Sequence, residues 1–470
     1  MKFNKKIAFG AWINDIKNIL MGNSNWPDVN IDDQTIKDYA SLFKLLKESG
    51  YDSIDIFGLL VGHDWPPELE TVLKNGRKEK VTKIIDSAHK NGIDVIFGLG
   101  IYSWGFDAII RSDPEVQGTN ESAMCGSKEK SKKWQERVIK LIIDNFDIDG
   151  LHLEASDQGR CSCPECSKEG NVQYYSRLNK EAAIFIRERW PEKYLLVNDC
   201  AYLPWGDYIS KDEFKYVYDL GKHIDAFIDN GNHGLFIREE DRKEFIKDLP
   251  CGFGSSGGFW IYAPQRWDRL RWFLPYVNKT GNFLKSLYSD GGRACEYYMG
   301  PTVNPSTEVN IYFGGLLLSN IDKEIGEILR LTLDKLYVPK NSEYLGIITE
   351  IFIDAENAFF DNWKPSIKPF ELPEKFAGDV ETLRFWSEKT PERTIPGELF
   401  LEPLVGLKPG EPIYLKNNMS EEGLRRYKTE LEKISERVNK IKTGFDDSGR
   451  ISRISECISN TIKDINQILS

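Results

Sequence analysis

One junction recurs through the first two thirds of this chain. An amphipathic helix ends at a turn, and a short strand rich in Ile, Leu, Val and Phe follows, as in KESGYDSIDIFGLL, HKNGIDVIFGLG, NFDIDGLHLEA and GKHIDAFIDNG. Gly50 and Gly92 stand where the end of a helix favours a residue with positive φ. The strands are continuous apolar runs, which are typical of parallel strands buried on both faces.

Eight such strands can be placed within the first 340 residues, at 7–13, 53–60, 94–100, 150–155, 194–199, 225–229, 251–255 and 293–298. Helical stretches separate them. This alternation predicts a (β/α)8 TIM barrel with long loops. A doubly wound open sheet is the alternative, and it is disfavoured because no strand leads into a Gly-x-Gly-x-x-Gly turn.

The pattern changes after Val338. Residues 342–362 read as a long helix, a Pro-rich stretch follows at 364–412, and two amphipathic helices at 421–442 and 451–469 are joined by GFDDSGR. We therefore predict a catalytic barrel over residues 1–340 and a C-terminal helical region over residues 341–470. The added helices offer a surface on which a homo-oligomer could form.

Composition narrows the class of function. The chain of 470 residues is 40% hydrophobic and 29% charged, with a formal net charge of −11, which is ordinary for a globular protein. Nucleic acid is not expected as a partner, because no Lys/Arg-rich face is apparent. No apolar run is long enough to span a bilayer, so no membrane partner is expected. The N-terminal segment MKFNKKIAFGAWIND lacks the core of a signal peptide, which leads us to expect a cytoplasmic protein.

Aromatic, amide and acidic residues recur after the predicted strands. Function in a barrel of this kind lies on the loops that follow the strand ends. Sugar rings pack on aromatic faces, and their hydroxyl groups bond to carboxylates, amides and imidazoles. We therefore predict a carbohydrate substrate, and we expect it to be contacted by His63, Trp104, Asp157, Asn198, Asp199, His233, Trp260 and Tyr297.

Three carboxyl residues are candidates for catalysis. Hydrolysis of a glycosidic bond needs one acid to protonate the leaving oxygen and a second carboxylate across the sugar ring. Glu154 is the predicted acid, because desolvation at the end of a buried strand can hold a proton on it. Its partner should come from another strand, with Asp229 as the first choice and Glu296 as the second. Asp157 would support Glu154 or bind hydroxyl groups.

Plainer interpretations remain open. Each of these carboxyl groups could instead cap a helix or pair with an Arg. The chain could also be a non-catalytic carbohydrate-binding protein on a degenerate hydrolase barrel. Metal-dependent hydrolysis is a third possibility, and it would need a metal ion with an open coordination position.

Cysteines cluster directly after the fourth strand, in CSCPEC. Cys161, Cys163 and Cys166 lie too close together along the chain to be explained as core packing, and thiolates in this spacing bind zinc tetrahedrally. Cys125, which precedes the third long helix, is the best-placed fourth ligand. We predict a structural Zn²⁺ ion. A redox Cys-x-x-Cys is the alternative, and the third cysteine and the absence of a thioredoxin-like context disfavour it.

The order of these features resembles the zinc-bearing (β/α)8 glycoside hydrolases of the family 42 β-galactosidase type. The resemblance covers residues 123–166: Cys125 before a helix, then a strand ending in Glu154, then CSCPEC. It implies an acid/base role for Glu154 and zinc bound by the four cysteines. Leu153 stands where that family has Asn. The same stretch is also similar to α-glucuronidase-like barrel proteins of polysaccharide utilisation, whose inverting relatives would suit a more distant partner such as Asp229.

Overall fold

The structure is a computed structural model of the chain, and it describes residues 1–10, 12–19, 29–62, 64–103, 105–154, 159–200, 202–203, 207–229, 236–258, 269–362, 415 and 419–470.

Eight parallel strands close into a barrel, each pairing with its neighbour in the sequence and β1 pairing with β8. Their bounds are β1 Lys5–Gly10, β2 Ser53–Ile56, β3 Asp94–Gly100, β4 Gly150–Glu154, β5 Tyr194–Asn198, β6 Ala226–Asp229, β7 Gly252–Gly257 and β8 Ala294–Tyr298. The predicted (β/α)8 barrel is confirmed. The first strand is shorter at its end than predicted, because a short helix begins at Ile13.

Helices follow the strands around the outside, and a helical region follows the barrel. The α-helices of the described residues are α1 Ile13–Ile16, α2 Asp33–Ser49, α3 Arg77–Lys90, α4 Asp107–Ser112, α5 Glu129–Asn145, α6 Asn171–Arg189, α7 Phe214–Gly221, α8 Glu239–Asp248, α9 Asn278–Asp290, α10 Pro305–Ser319, α11 Ile325–Tyr337, α12 Ser342–Phe360, α13 Glu421–Ile441 and α14 Ser448–Leu469. None of these helices is long and apolar enough to cross a bilayer.

Local sequence sets the ends of the helices. The Asp32 side chain caps α2 by accepting a hydrogen bond from the Thr35 backbone N–H. The Thr35 hydroxyl oxygen in turn accepts a hydrogen bond from the Asp32 backbone N–H. Gly50 ends the same helix with a φ of 105°, and a Cβ atom there would lie 2.5 Å from the Ser319 hydroxyl oxygen. Glycine is therefore required by both backbone geometry and space.

The interior of the barrel is layered along its axis. Side chains of every second residue point inward. Apolar inward residues fill the lower part: Ile7, Ile96, Leu196, Ala226, Ile228 and Ala294. Two positions further along their strands, the inward residues include Asn198 in β5 and Glu296 in β8. Polar groups thus stand above an apolar floor, towards the strand ends.

The C-terminal helices are tied to the barrel by buried polar contacts. Arg271 forms a two-pronged ion pair with Asp464 of α14, with both N···O distances 2.7 Å. The Glu356 carboxylate of α12 accepts hydrogen bonds from the backbone N–H groups of Val277, Asn278 and Lys279, which lie at the start of α9. The helical region thereby supplies the cap that a barrel helix lacks in its own sequence.

We expect Asp464→Asn to lower the free energy of unfolding by about 3 kcal/mol, because it leaves the buried Arg271 guanidinium without its charged partner. Urea denaturation followed by circular dichroism would measure this change. The matched control is Glu421→Gln, which breaks an exposed ion pair with Arg425 one helical turn away and should change the free energy by less than about 0.5 kcal/mol. Equal effects of the two changes would contradict the proposed tie.

Candidate functional site

Three ionisable side chains meet inside the barrel above the apolar floor. They are Asp55 of β2, His152 of β4 and Glu296 of β8, all buried. His152 Nδ1 lies 2.5 Å from Asp55 Oδ2 and 3.2 Å from Glu296 Oε1. The other Glu296 oxygen accepts a hydrogen bond of 2.9 Å from the Asn198 amide. We call Asp55, His152 and Glu296 the interior triad.

Each member of the interior triad has a displaced pKa. Burial raises the pKa of Asp55 well above its usual range, although His152 opposes the shift. Burial alone would lower the pKa of His152, but the Glu296 and Asp55 carboxyl groups outweigh it and raise that pKa well above its usual range. Burial would raise the pKa of Glu296, and His152 reverses this and lowers it. These directions favour a protonated Asp55, an imidazolium and a Glu296 carboxylate.

Aromatic rings cover the imidazole. The His152 ring lies 5.0 Å from the Phe57 ring, edge to face, and 6.1 Å from the Phe9 ring, measured between ring centroids. The Phe57 ring occupies the space beside Gly98 in β3, where a Cβ atom would come within 2.0 Å of it. The absence of a side chain at Gly98 therefore lets Phe57 reach the imidazole.

Glu154 ends β4 and follows His152 on the same inward face. Its side chain keeps 20% of its surface exposed, so it is less desolvated than the sequence suggested. Glu154 Oε2 lies 3.9 Å from His152 Nε2. Asn198, the neighbour of Glu154 in strand register, is buried beside it and bonds to Glu296. Glu154, Asn198 and Glu296 are the predicted site residues that the structure brings together.

Asp229 and Asp199 form a separate buried pair. Phe227 and Asp229 alternate with the inward residues of β6, so Asp229 faces away from the barrel axis. Its two carboxylate oxygens accept hydrogen bonds from the backbone N–H groups of Phe236 and Ile237, at 2.9 and 3.3 Å. Burial raises the pKa of Asp229 to about 6, opposed by those backbone bonds and by a hydrogen bond with Asp199. These contacts anchor the chain after β6, and a catalytic role for Asp229 stays a prediction.

Tyr297 also lies apart from Glu154. It is fully buried between the strands and the outer helices, with its ring 6.2 Å from that of Tyr51, and Gly314 leaves room for it. The structure therefore does not bring Tyr297 to the open end of the barrel. The other predicted substrate contacts lie outside the described residues: His63, Trp104, Asp157, His233 and Trp260.

The four predicted cysteine ligands do converge. Cys125 Sγ lies 3.7 Å from both Cys163 Sγ and Cys166 Sγ, and all four sulfur atoms, including that of Cys161, lie within 4.8 Å of one another. A disulfide needs sulfurs about 2.05 Å apart, so these thiols are not paired covalently. The spacing matches the edges of a tetrahedron of about 3.8 Å that Zn–S bonds of about 2.3 Å produce. The cluster could therefore hold a metal ion.

Polar contacts around the sulfurs suit a charged cluster. The Ser127 hydroxyl lies 3.1 Å from Cys125 Sγ, and the Cys163 backbone N–H donates to Cys161 Sγ at 3.4 Å. Hydrogen bonds with Cys161 and Cys166 lower the pKa of the Cys125 thiol to about 3. The bond with Cys125 correspondingly raises the pKa of Cys166. The coupled thiols therefore lose their protons unequally, and Cys125 is the one that ionises most readily.

Sequence reasoning missed Asp55 and His152. A signal was present, because each is an ionisable residue in the middle of a largely apolar strand, Asp55 in SIDI and His152 in GLHLE. An ionisable group in such a strand has to find a partner inside the barrel. The sequence alone did not reveal that the two residues are partners of each other, since they lie on strands that are not adjacent.

Comparisons with known proteins support the fold. A scan of family models found no match to this sequence, and a search of curated proteins found none either. Among solved structures, the chain is similar to a GH138 enzyme targeting pectin rhamnogalacturonan II, with a TM-score of 0.58 and 11% identity over 99% of this chain and 70% of that chain. It is also similar to a mutant O-GlcNAc hydrolase of Thermobaculum terrenum, with a TM-score of 0.51 and 10% identity over 99% of this chain and 83% of that chain. Fold and site together define a (β/α)8-barrel protein with a carboxyl group at its open end, and the two solved structures named here are of glycoside hydrolases.

We expect Gly98→Ala to destabilise the protein by about 1–3 kcal/mol, because the added methyl group displaces Phe57 from the imidazole. Chemical denaturation would measure the change. Gly346→Ala is the matched control, since a Cβ atom there meets nothing within 4 Å and helix α12 should gain up to about 1 kcal/mol. A neutral Gly98→Ala would show that Phe57 does not need this space.

Proposed function

We propose that this protein is a glycoside hydrolase and that Glu154 is the carboxyl group that contacts the scissile bond. The observation that carries this proposal is the position of Glu154. It stands at the carboxyl end of a barrel strand, partly exposed, directly above a buried charged triad. The strand ends of such barrels are where catalysis takes place. A carboxyl group held there can exchange protons with a sugar oxygen or with water.

The substrate class is a carbohydrate. Two of the solved proteins that this chain resembles are named for acting on pectin rhamnogalacturonan II and on O-GlcNAc, which favours a sugar substrate over other classes. We propose that His63, Trp104, Asp157, His233 and Trp260, on the loops after the strands, supply the sugar contacts. Aromatic rings would pack on the sugar face, and the polar groups would hold its hydroxyls.

Of the two predicted partners of Glu154, the geometry favours Glu296. Glu296 and Glu154 face the two nitrogen atoms of the same imidazole, that of His152. Asp229 instead accepts hydrogen bonds from backbone N–H groups of the chain after β6. Glu296 is buried, so we propose that it acts on Glu154 through His152 and does not itself touch the sugar. The second reacting carboxyl group then has to come from a loop above the barrel.

A specific observation also favours a second candidate, a carbohydrate-binding protein without catalysis. Among the described residues, the inward-facing carboxyl groups of Asp55 and Glu296 are buried, so Glu154 shares an open pocket with neither. A binding protein would bind sugars saturably and release them unchanged. Calorimetric titration together with product analysis on the same sugar panel separates the two functions.

We expect Glu154→Gln to lower kcat/KM at least about a hundredfold on any glycoside that the parent protein hydrolyses, because the amide cannot exchange the proton. A panel of aryl glycosides and oligosaccharides, assayed for released sugar, provides the measurement. Glu165→Gln serves as the control, because its side chain is 65% exposed and its ion pair with Lys168 is local. Full activity of Glu154→Gln would remove Glu154 from the reaction.

We also propose that the four cysteines hold a structural Zn²⁺ ion. Four sulfur ligands close the coordination sphere, so the ion would fix the loop after β4 and take no part in the reaction. The cluster joins the chain before α5 to the chain after β4, close to Glu154 in sequence. This supports a role in holding the strand end that carries Glu154.

We expect one zinc ion per chain in the parent protein, loss of the ion in Cys125→Ser, and a lower melting temperature of that variant, because structural zinc contributes directly to folding. Native mass spectrometry and calorimetry would measure both effects. Cys251→Ser, which changes a single cysteine away from the cluster, should keep the ion. A parent protein that is stable without any metal would contradict the proposed brace.

A further inference from the structure

His152 is an unusual residue to find in the middle of a barrel strand. It is fully buried, and it faces carboxyl groups from two other strands and from its own strand end. The titratable groups that face it among the described residues are Asp55 of β2, Glu154 of β4 and Glu296 of β8. A buried histidine of this kind either has a purely structural role, with its polar atoms hydrogen-bonded, or takes part in the chemistry of the site.

The charges of this cluster balance when the imidazole is protonated. With Asp55 carrying a proton and Glu296 ionised, an imidazolium makes the interior triad neutral, whereas a neutral imidazole leaves a net negative charge on buried side chains. An uncompensated buried charge costs several kcal/mol, so the neutral sum is strongly favoured. The second N–H group of the imidazolium, on Nε2, can then interact with the Glu154 carboxylate.

The ring orientation leaves one nitrogen directed at Glu154. Nδ1 is occupied by Asp55 and Glu296, and Nε2 lies 3.9 Å from Glu154 Oε2 without a hydrogen-bond partner among the described residues. Phe9 and Phe57 hold the ring from its other sides. A small rotation of the partly exposed Glu154 side chain would bring its oxygen to the Nε2–H group.

We propose that His152 is a positioning residue, a buried imidazolium that draws the Glu154 carboxylate towards its Nε2–H group and keeps it ionised. This inference rests on the proposed function of Glu154, and it changes the role predicted from the sequence. Glu154 acts as the carboxylate of the reacting pair and the acid is another group. In an inverting reaction Glu154 takes a proton from the attacking water. In a retaining reaction its oxygen bonds to the anomeric carbon, and water, deprotonated by the second acid after that acid has given up its own proton, then breaks this ester bond. In both, the glycosidic C–O bond breaks and the leaving oxygen takes a proton from the second acid.

The protonation state of His152 can be measured without a substrate. The chain has five histidines, so selective ¹⁵N labelling gives a tractable imidazole spectrum. We expect one imidazole with both nitrogens protonated at pH 8, and we expect its pKa to fall by about one unit in Glu154→Gln, because a neighbouring negative charge has been removed. His152→Gln assigns the signal. A neutral imidazole at pH 7, or a pKa unchanged by Glu154→Gln, overturns the proposal.

Metal analysis provides a second check on the same group. The triad atoms lie close enough together to be metal ligands, and a bound ion would occupy an imidazole nitrogen in place of a proton. One metal ion per chain, kept in His152→Gln, agrees with the proposal. Two ions in the parent protein and one in His152→Gln would overturn it.

The pH profile then tests the link to catalysis. In His152→Gln the pKa of Glu154 should rise, so the acid limb of kcat/KM should move about one to three pH units upward, whereas simple structural damage lowers activity at every pH. His89→Gln is the control, since His89 pairs with Asp149 and not with the interior triad. An unmoved acid limb in an active His152→Gln overturns the positioning role. If no glycoside is hydrolysed at all, the proposed function fails, while the imidazole titration still decides the charge of His152.

Discussion

The exclusion of water from a closed barrel is the constraint on which this structure depends. Asp55, His152 and Glu296 lie inside it, where an isolated charge is far less stable than in water. They are tolerated because three strands bring their polar atoms within hydrogen-bonding distance of one another. A slip of one residue in any of these strands would turn its ionisable side chain to the opposite face and leave the others unpaired. The polar triad therefore fixes the register of the barrel that surrounds it.

The strand order and the helical region could be predicted from the sequence, because continuous apolar runs and glycine-ended helices are local signals. The convergence of four cysteines was also within reach, since three of them lie close together along the chain. The directions in which the carboxyl side chains point could not be predicted in this way. Asp229 and Tyr297 lie at strand ends in the sequence, but their side chains face outward, and this depends on which alternate residues of β6 and β8 point inward. Asp55 and His152 are recognisable only as partners across the barrel.

The environment of Glu154 differs from the one that its local sequence suggests. A carboxyl group at the end of a buried strand is expected to hold its proton when only apolar atoms surround it. The structure instead places an imidazole beside it and leaves part of it exposed. Partial exposure and the imidazolium that we propose at His152 would each stabilise a carboxylate at this position. A neighbouring residue that lies two positions earlier on the same strand thus decides the sign of the electrostatic effect.

Strand β4 ends in the proposed reacting group, carries the imidazole that faces it, and leads into the cysteine cluster. His152 and Glu154 share its inward face, and the cysteine cluster begins a few residues later. His152 of the interior triad precedes Glu154 by two residues, and the cysteine cluster begins at Cys161, so we propose that both restrain the strand end that carries Glu154. A catalytic group needs such restraint, because a displacement of about 1 Å can cost a hundredfold in rate. The arrangement explains why residues of such different chemistry occur together in this part of the chain.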